Sequence, residues 1–590
     1  MSATPEPRAA WSTSLRRDTL AAFAVLGLLV PQGVAYAMLA GVPPATGLAC
    51  AAAAALAYAP FGSSRYLAVG PVALTCLLVA GGLQPLAEAG SDRYLDLAVA
   101  LSLMVAVIFA LLGLVRAGFI ANFLGQPAIV GFNAGGALLT AASQVRPFFG
   151  LPASAAIGTS AENPWPVLLH LGSTSALALG VGVATLVVIV ALPRWNRRVP
   201  APLVACIAGG LAVWGLGLDD AGLATVGRVP ARWPSLHWPA VDWSDLRALL
   251  PTAISVAIVG YGSSIAVAKA LAAKEREQIE PNRELWALAA ANLASGLVGS
   301  FPASAGLSRT LVMQQAGGRT RWAGAIVGLG TIAVVAAAAP AFTVLPLAVL
   351  AGIVMHAAMG LFDVREARAI LHTHRSDAAT MIATFAITLT LGLVPGLAAG
   401  LVVALVLFVH RTASPHTAEL GRIPGSMVYR NTARFAVEVC PQVGILRVDA
   451  PLYFANARVL ADRVHQLLAV RPDQGIIAID CSGISDVDAT AVATLRNLTV
   501  ALRERGNDLH LVGPIGPVRD ILARTGMVAL LGEGNLHRTI VEAAPTLMAR
   551  IQRRYCEQRC TVCAFPECTL IPRTSVATPR SEAARFSPQI

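Results

Sequence analysis

The chain has 590 residues, 56% hydrophobic and only 13% charged, with a mean hydropathy of +0.65, which excludes an ordinary soluble enzyme and describes a polytopic membrane protein with room for a soluble domain. The formal net charge is +11 and the pI is near 9.6, yet Lys and Arg sit singly between apolar runs instead of forming a stripe. Membrane topology explains them, so the lipid bilayer is an expected partner and nucleic acid is not.

Residues 1–18 are polar and lack the short apolar core and small-residue cleavage site of a signal peptide, so they predict a cytosolic N-terminal segment. Charged residues then punctuate a series of apolar runs. Thr19 to Ser64 predicts two helices and Tyr66 to Ala87 a shorter one opening near Gly70-Pro71. Leu97 to Val115 predicts one, and Ala117 to Val145 one tilted helix with a re-entrant or broken end. Leu171 to Pro193 and Val199 to Leu218 complete a set of seven. After a polar loop, Asp219 to Arg247, a second seven follows: about Ala248 to Leu271, Leu285 to Phe301, Ala303 to Ala316, two within Trp322 to Phe362 and two within Ala378 to His410. Seven plus seven suggests inverted repeats, an architecture common among secondary transporters.

The third span of each set is too short to cross a bilayer of about 30 Å alone. In the first set Pro71 is placed to open a helix. In the second set the stretch S-F-P-A-S-A-G-L-S-R-T-L-V from Ser300 puts Arg309 at membrane depth, at a cost of about 2.5–3.5 kcal/mol, and such residues usually face a cavity, a partner or a substrate path. The small residues Ala303, Ser304, Ala305, Gly306 and Ser308 read as a tight segment opening a short helix, whose free N–H groups attract anions. The expectation is an anion site made by Arg309 and two half-helices that meet start to start. The alternatives are an Arg paired with a buried carboxylate or one snorkelling to the interface. No Asp or Glu falls inside any predicted span, which argues against the first.

Orientation follows from where the cations collect. One face receives only Arg93, Arg146, Arg228, Arg232 and Arg247, and the other Arg8, Arg16, Arg17, Arg65, Arg116, Arg194, Arg197, Arg198, Lys274, Arg276, Arg283, Arg319, Arg321, Arg365, Arg368 and Arg375. The richer face, with both termini, is predicted to be cytoplasmic, in the plasma or inner membrane. Gln32 and Tyr36, four apart on the first helix, share a face and could both reach a cavity, the alternative being a hydrogen bond between helices. His356, His372, His374 and His410 fall at span ends or in loops and read as interfacial.

After His410 the pattern changes to that of an α/β domain, placed at about Arg422 to Arg550. Val443 to Val448, Gly475 to Ile479 and Leu509 to Val512 read as strands of a largely parallel sheet, and Ala455 to Val470 and Ala489 to Arg505 as helices. The tail 551–590 holds Cys556, Cys560, Cys563 and Cys568 and is expected to be disordered. Its four thiols could hold Zn or an iron-sulfur cluster, although the C-x3-C-x2-C-x4-C spacing is not a clean pair of knuckles. No other cofactor is implied. The absence of a Walker motif, a dinucleotide fingerprint and a nucleophile–base pair in the membrane part argues against an ATP-driven pump and against an enzyme.

The stretches P-Q-G-V-A-Y-A-M-L-A-G-V-P-P-A-T-G-L from Pro31, F-G-S-S-R-Y-L-A-V-G-P-V-A from Phe61 and G-L-S-R-T-L-V from Gly306 resemble the sulfate permease family, which includes animal anion exchangers and prestin. D-C-S-G-I-S-D-V-D-A-T-A-V from Asp480 resembles the STAS domain that ends many of these transporters. The resemblance implies a fourteen-span transport domain, here 19–411, with core and gate domains, followed by a cytosolic STAS domain. It also implies an anion held by Gln32, Tyr36, Val72, Ala73, Ser308 and Arg309. The expected function is secondary transport of small inorganic anions such as sulfate, bicarbonate or chloride by exchange, with a homodimer as the expected assembly. Proton- or sodium-coupled symport and a STAS-regulated channel are the alternatives. Two departures stand out. Ser263 occupies the coupling position where many members carry an acid, and Ala489 follows Asp488 where soluble STAS relatives carry a phosphorylatable Ser, leaving only Thr490 nearby.

Overall fold

The computed structural model describes residues 8–122, 125–152, 163–196, 199–227, 236–275, 277–471 and 473–572. Arg228, Arg232 and the segment 573–590 lie outside the described residues. The chain divides into two compact units, Met1–Leu405 and Val406–Ile590.

The first unit is helical. Its first set comprises α1 (Arg8–Leu39), α2 (Pro44–Phe61), α3 (Ala73–Leu83), α4 (Asp92–Leu114), α5 (Gln126–Ser143) with the short α6 (Val145–Phe149), α7 (Ala176–Trp195) and α8 (Ala201–Leu216). The second set comprises α9 (Trp243–Glu275), α10 (Pro281–Leu297), α11 (Leu307–Gln315), α12 (Trp322–Ala338), α13 (Leu347–Met359), the amphipathic α14 (Val364–Thr373), α15 (Arg375–Leu391) and α16 (Leu393–Ala413), whose residues from Val406 on fall in the second unit. Among the described residues, seven long or half-length apolar helices stand in each set, and eight helices are long and apolar enough to cross a membrane. α1 opens eleven residues before the apolar run does, so much of the expected N-terminal segment is helical.

Packing sorts the helices into two groups. α1, α2, α4 and α9 to α12 pack mutually with α3, while α5 to α8 pack with α13 and α15. The first group is the core of the transport fold and carries both half-helices. Glycine and alanine make its close approaches possible: a Cβ on Gly47 would lie 2.0 Å from the Gly33 carbonyl oxygen, where α2 crosses α1. Small residues serve membrane helix contacts in this way because dispersion, not the hydrophobic effect, drives association in lipid.

Two short strands precede the half-helices. β1 (Val69–Gly70) pairs antiparallel with β2 (Ser304–Ala305), in register Val69↔Ala305 and Gly70↔Ser304. Antiparallel pairing fixes the two helix starts side by side and sends α3 and α11 in opposite directions.

The second unit holds a six-stranded sheet in the order β4-β3-β5-β6-β7-β8. β3 (Thr417–Arg422) and β4 (Tyr429–Asn431) form an antiparallel edge, with β3 also antiparallel to β5 (Val443–Val448). β6 (Ile476–Asp480), β7 (Asp508–Val512) and β8 (Leu536–His537) continue it in parallel from β5. α17 (Ala457–Val470), α18 (Ala489–Glu504), α19 (Gly516–Arg524) and α20 (Met527–Leu531) bury Leu460, Val464, Leu495, Leu498, Val518 and Met527 with Ile477, Ile479 and Leu509 in one core. α21 (Ile540–Ala549) packs with Ile445, Ile476 and Ala478 in another.

The expected start at Arg422 cuts through β3, because the polar strand T-A-E-L-G-R has little apolar character to announce it. The tail differs more. Instead of a disordered segment from residue 551, α22 (Arg553–Gln558) and a short helical turn at Pro566–Leu570 follow, and Ala564, Phe565 and Cys568 pack beside Ala418, Val443 and Leu547. Phe565 is the apolar anchor that a reading dominated by the cysteines overlooks.

Candidate functional site

The crossing of β1 and β2 is built from backbone groups whose needs are met almost entirely by buried polar side chains. Gly306 N donates to Ala68 O at 3.1 Å, extending the two-strand ladder by one bond. Thr310 Oγ1 accepts from Ala68 N at 3.1 Å and donates to Gly306 O at 2.7 Å, so one hydroxyl ties α11 to the strand before α3. Asn292 on α10 acts as a surrogate strand, its amide accepting from Ala303 N at 2.9 Å and donating to Ala303 O at 3.0 Å. Ser264 on α9 accepts from Ala305 N at 3.0 Å, and Thr75 and Ser304 share a hydrogen bond of 2.9 Å across the repeats. Buried backbone groups without partners are costly, and more so in lipid, so this network is what permits irregular backbone at membrane depth.

Arg309 lies at the centre, 1% exposed. Its Nη1 donates to Pro71 O at 2.8 Å and to Gln32 Oε1 at 3.3 Å, while Nε and Nη2 have no hydrogen-bond partner in the protein. The ionisable groups within its field are the phenol of Tyr36 and the thiols of Cys50 and Cys76. Among the described residues no carboxylate pairs with it, so neither alternative reading of this Arg describes it. A cavity of about 10 Å³, room for about one water, touches Arg309 beside Leu29, Tyr58, Val69 and Met313.

The structure brings most of the sequence-derived residues together here. Gln32 follows Pro31 within α1 and is 5% exposed, as is Tyr36 one turn later. Val72 is the N-cap of α3 and Ala73 its first residue, and Gly306 is the N-cap of α11. Neither cap makes a side-chain bond, so the first N–H groups of both half-helices are uncapped. Ser308 is exposed on the first turn of α11. Ser263 is not part of the crossing: half-buried, it bonds back to Gly260 O at 3.3 Å, whereas its neighbour Ser264 reaches β2.

Cys556 is buried beside Gln442 at 3.3 Å and Cys568 is buried in the apolar cluster with Phe565, and among the described residues no group of three or more His, Cys, Asp or Glu could hold a metal. Asp488, just before the Ala489 that stands where soluble STAS relatives carry a phosphorylatable Ser, caps α18 by accepting from Ala491 N at 2.8 Å and also accepts from Phe454 N at 2.7 Å. Thr490 is exposed.

Two of the buried carboxylates that escape the sequence reading hold the crossing's approaches. Glu284, 1% exposed in the first turn of α10, accepts from Tyr58 Oη at 2.8 Å, Ser63 N at 2.7 Å, Ser63 Oγ at 2.6 Å and Ser64 N at 3.1 Å. It thereby pins the loop that leads into β1. Asp18 on α1 accepts from Thr320 N at 3.1 Å, and from Thr320 Oγ1 and Arg319 N at 2.5 Å, pinning the turn after α11. Both stand immediately before an apolar run, where a carboxylate reads from sequence as a span boundary. A pattern of Ser-Ser facing Glu cannot be seen without the fold.

Fold and site together define a membrane transporter of the inverted-repeat class with a C-terminal STAS domain, not an enzyme. A profile of the sulfate permease family matches residues 15–384 and one of the STAS domain matches residues 434–543, and the chain belongs to the sulfate permease family of anion transporters. A "Probable sulfate transporter" of Mycobacterium tuberculosis is 34% identical over 551 residues, covering 92% of this chain and 96% of that one. The chloroplastic sulfate transporter 4.1 of Arabidopsis thaliana is 30% identical over 578 residues, covering 93% and 82%. The fold is shared with murine solute carrier 26 family member A9 in an inward-facing state, at a TM-score of 0.81 and 21% identity over 93% of this chain and 96% of that one.

Proposed function

We propose that the chain exchanges one small inorganic anion for another by alternating access, binding each at Arg309 between the starts of α3 and α11. The observation that carries this reading is a guanidinium buried to 1% exposure with two nitrogens unpartnered and no carboxylate beside it among the described residues. A charge so placed is stable only if something negative joins it for much of the cycle. Gln32, Tyr36, Val72, Ala73 and Ser308 complete the site by supplying polar side chains and uncapped N–H groups around the same point. Sulfate is the first anion to test, because the similar transporters of Mycobacterium and Arabidopsis carry that name.

Exchange, not symport, follows from what surrounds the Arg. With Ser263 turned back on its own helix, no titratable acid lies at the coupling position, so an empty site would return with its charge uncompensated. Moving loaded is then favoured over moving empty. In the membrane, both termini and the STAS domain face the cytoplasm, since the Arg-rich face is the inner one, and the working assembly is a homodimer in the inner membrane.

The test is uptake of labelled sulfate, bicarbonate and chloride into proteoliposomes, each with and without an internal counter-anion and with and without a proton or sodium gradient. Exchange requires uptake to depend on the internal anion and to ignore the cation gradients. Strong proton-driven net uptake into vesicles without counter-anion would make the protein a symporter, and a non-saturating anion conductance would make it a channel.

A further inference from the structure

A second cavity, of about 320 Å³, lies in the first unit between α1 and the helices of the other group. Ala35, Met38 and Leu39 form its wall on α1, so it adjoins Tyr36 along the chain. Its other walls come from α5 and α6 with the turn between them, from α7, from the loop at Gly222–Ala224 and from α13. It is some thirty times larger than the cavity at Arg309.

Three of the side chains that reach this space are suited to an anion, while the Ser143 hydroxyl is spent on Thr140 O at 2.7 Å. Arg146 is the one charged residue among its described lining residues, it is exposed, and no described carboxylate pairs with it. Gln144 spends one N–H on Ser143 Oγ at 3.1 Å, which leaves the other available. Ser175 accepts from Ala178 N at 3.4 Å and keeps its own O–H. The remainder of the wall is alanine, glycine, leucine, methionine and proline. A low-dielectric wall around one fixed positive charge concentrates counter-ions and raises their rate of arrival.

We propose that this cavity is a second anion site, an outer vestibule in which Arg146 recruits small inorganic anions ahead of their transfer to Arg309. It rests on the reading of Arg309 as the transport site but assigns different residues to a different step. Because Arg146 is exposed, its hold is weak and screened by salt, so it acts on the rate of capture and little on the rate of turnover.

Two measurements on the full chain test this, and the first needs no transport. Ala224→Cys places a thiol in the vestibule wall, to be modified from the outer face by membrane-impermeant methanethiosulfonates, one carrying a sulfonate and one a trimethylammonium group. With Arg146 present, the ratio of anionic to cationic modification rates should be roughly threefold to tenfold higher than with Arg146→Gln, and sulfate should protect the thiol. An unchanged ratio, no protection by sulfate, or modification from the cytoplasmic face alone overturns the proposal.

In the second measurement, Arg146→Gln should lower kcat/KM for labelled sulfate at low ionic strength with kcat unchanged. The loss should vanish in a high concentration of a non-permeant salt, and Arg146→Lys should restore capture. A loss confined to kcat, or one indifferent to salt, also overturns it. Arg309→Gln in parallel reports on the transport site alone, so a failure there leaves the vestibule result readable.

Discussion

Two charged groups, the enclosed Arg309 of the membrane unit and the half-buried Asp508 of the STAS unit, are partnered in opposite ways. In the membrane unit Arg309 is enclosed with only two acceptors, a backbone carbonyl and an amide, and keeps two nitrogens unpartnered. In the STAS unit Asp508 receives Arg550, Arg503 at 3.3 Å and Asn535 at 2.9 Å, and it stands 3.9 Å from a fully enclosed His510, which in turn shares a hydrogen bond of 3.0 Å with His537. A half-buried charge with its partners in place works for stability. A buried charge deprived of them is held ready for something that arrives, and the surrounding fold must hold it there.

The sharpest way to break this comparison is to remove each charge. Arg309→Gln should fold and reach the membrane as the wild type does, because no carboxylate is orphaned by it, yet anion affinity should fall by about 2–5 kcal/mol, thirtyfold or more. Arg309→Lys should recover part of it, since the charge returns without the fork of donors. Binding of labelled anion to purified protein in detergent checks both, and wild-type affinity in Arg309→Gln would remove Arg309 from the site. Asp508→Asn should do the reverse. It leaves Arg503 and Arg550 less well paired and should destabilise the STAS unit by about 1–3 kcal/mol, read as faster hydrogen exchange in β7, while anion affinity stays unchanged.

A subtler contrast lies within the crossing itself. Gly70 and Gly306 stand near corresponding points of the two repeats, but a Cβ on Gly306 would lie 2.7 Å from Arg309 Nη2 and 2.8 Å from its Cζ, whereas one on Gly70 would meet nothing nearer than 3.5 Å. Gly306→Ala must therefore displace the guanidinium and should weaken anion binding by about 1–3 kcal/mol. Gly70→Ala should be close to neutral. Equal effects in the same binding assay would mean that the repeats, and not the position of Arg309, set the affinity.

How much of this was legible in the sequence depends on whether a residue's role is local. Pro71 opening a half-helix, Arg309 within an apolar run and the alternation of strands with helices after residue 442 are local patterns, and each leads to the element found. Gln32 joins Arg309 across 277 positions of sequence, and the sequence reading reached it through family resemblance more than through spacing. Asn292, Thr310 and Ser264 were not singled out, because a polar residue that completes someone else's backbone has no signature of its own. Glu284 was passed over for a related reason: at the edge of an apolar run it reads as a boundary until Tyr58 and Ser63 are seen to fold onto it. The tail failed differently, its cysteines drawing attention from Phe565.

The smallest expected effect concerns pH, and it belongs to the compensated site. Burial pushes the His510 imidazole down to about 4 from its usual 6.5, with Arg550, His537 and Arg503 adding to the shift against the opposing pull of Asp508. Burial also lowers His537, where Glu542 opposes and Arg550 assists. In the window between 6.5 and 4 the unfolded chain binds a proton that the native His510 refuses, so stability must fall as the pH falls through it and level off below. At neutral pH the contribution is fully present. Replacing the imidazole by His510→Asn should make the domain less stable at pH 7.5, since the stacked pair is lost, yet its stability should decline less steeply between 6.5 and 4. Hydrogen exchange at the amides of β7, followed in the full chain against pH, separates the two effects. His537 keeps a residual slope in the variant. Identical slopes in variant and wild type would mean that His510 already carries its proton in the native state, balanced by the Asp508 carboxylate 3.9 Å away.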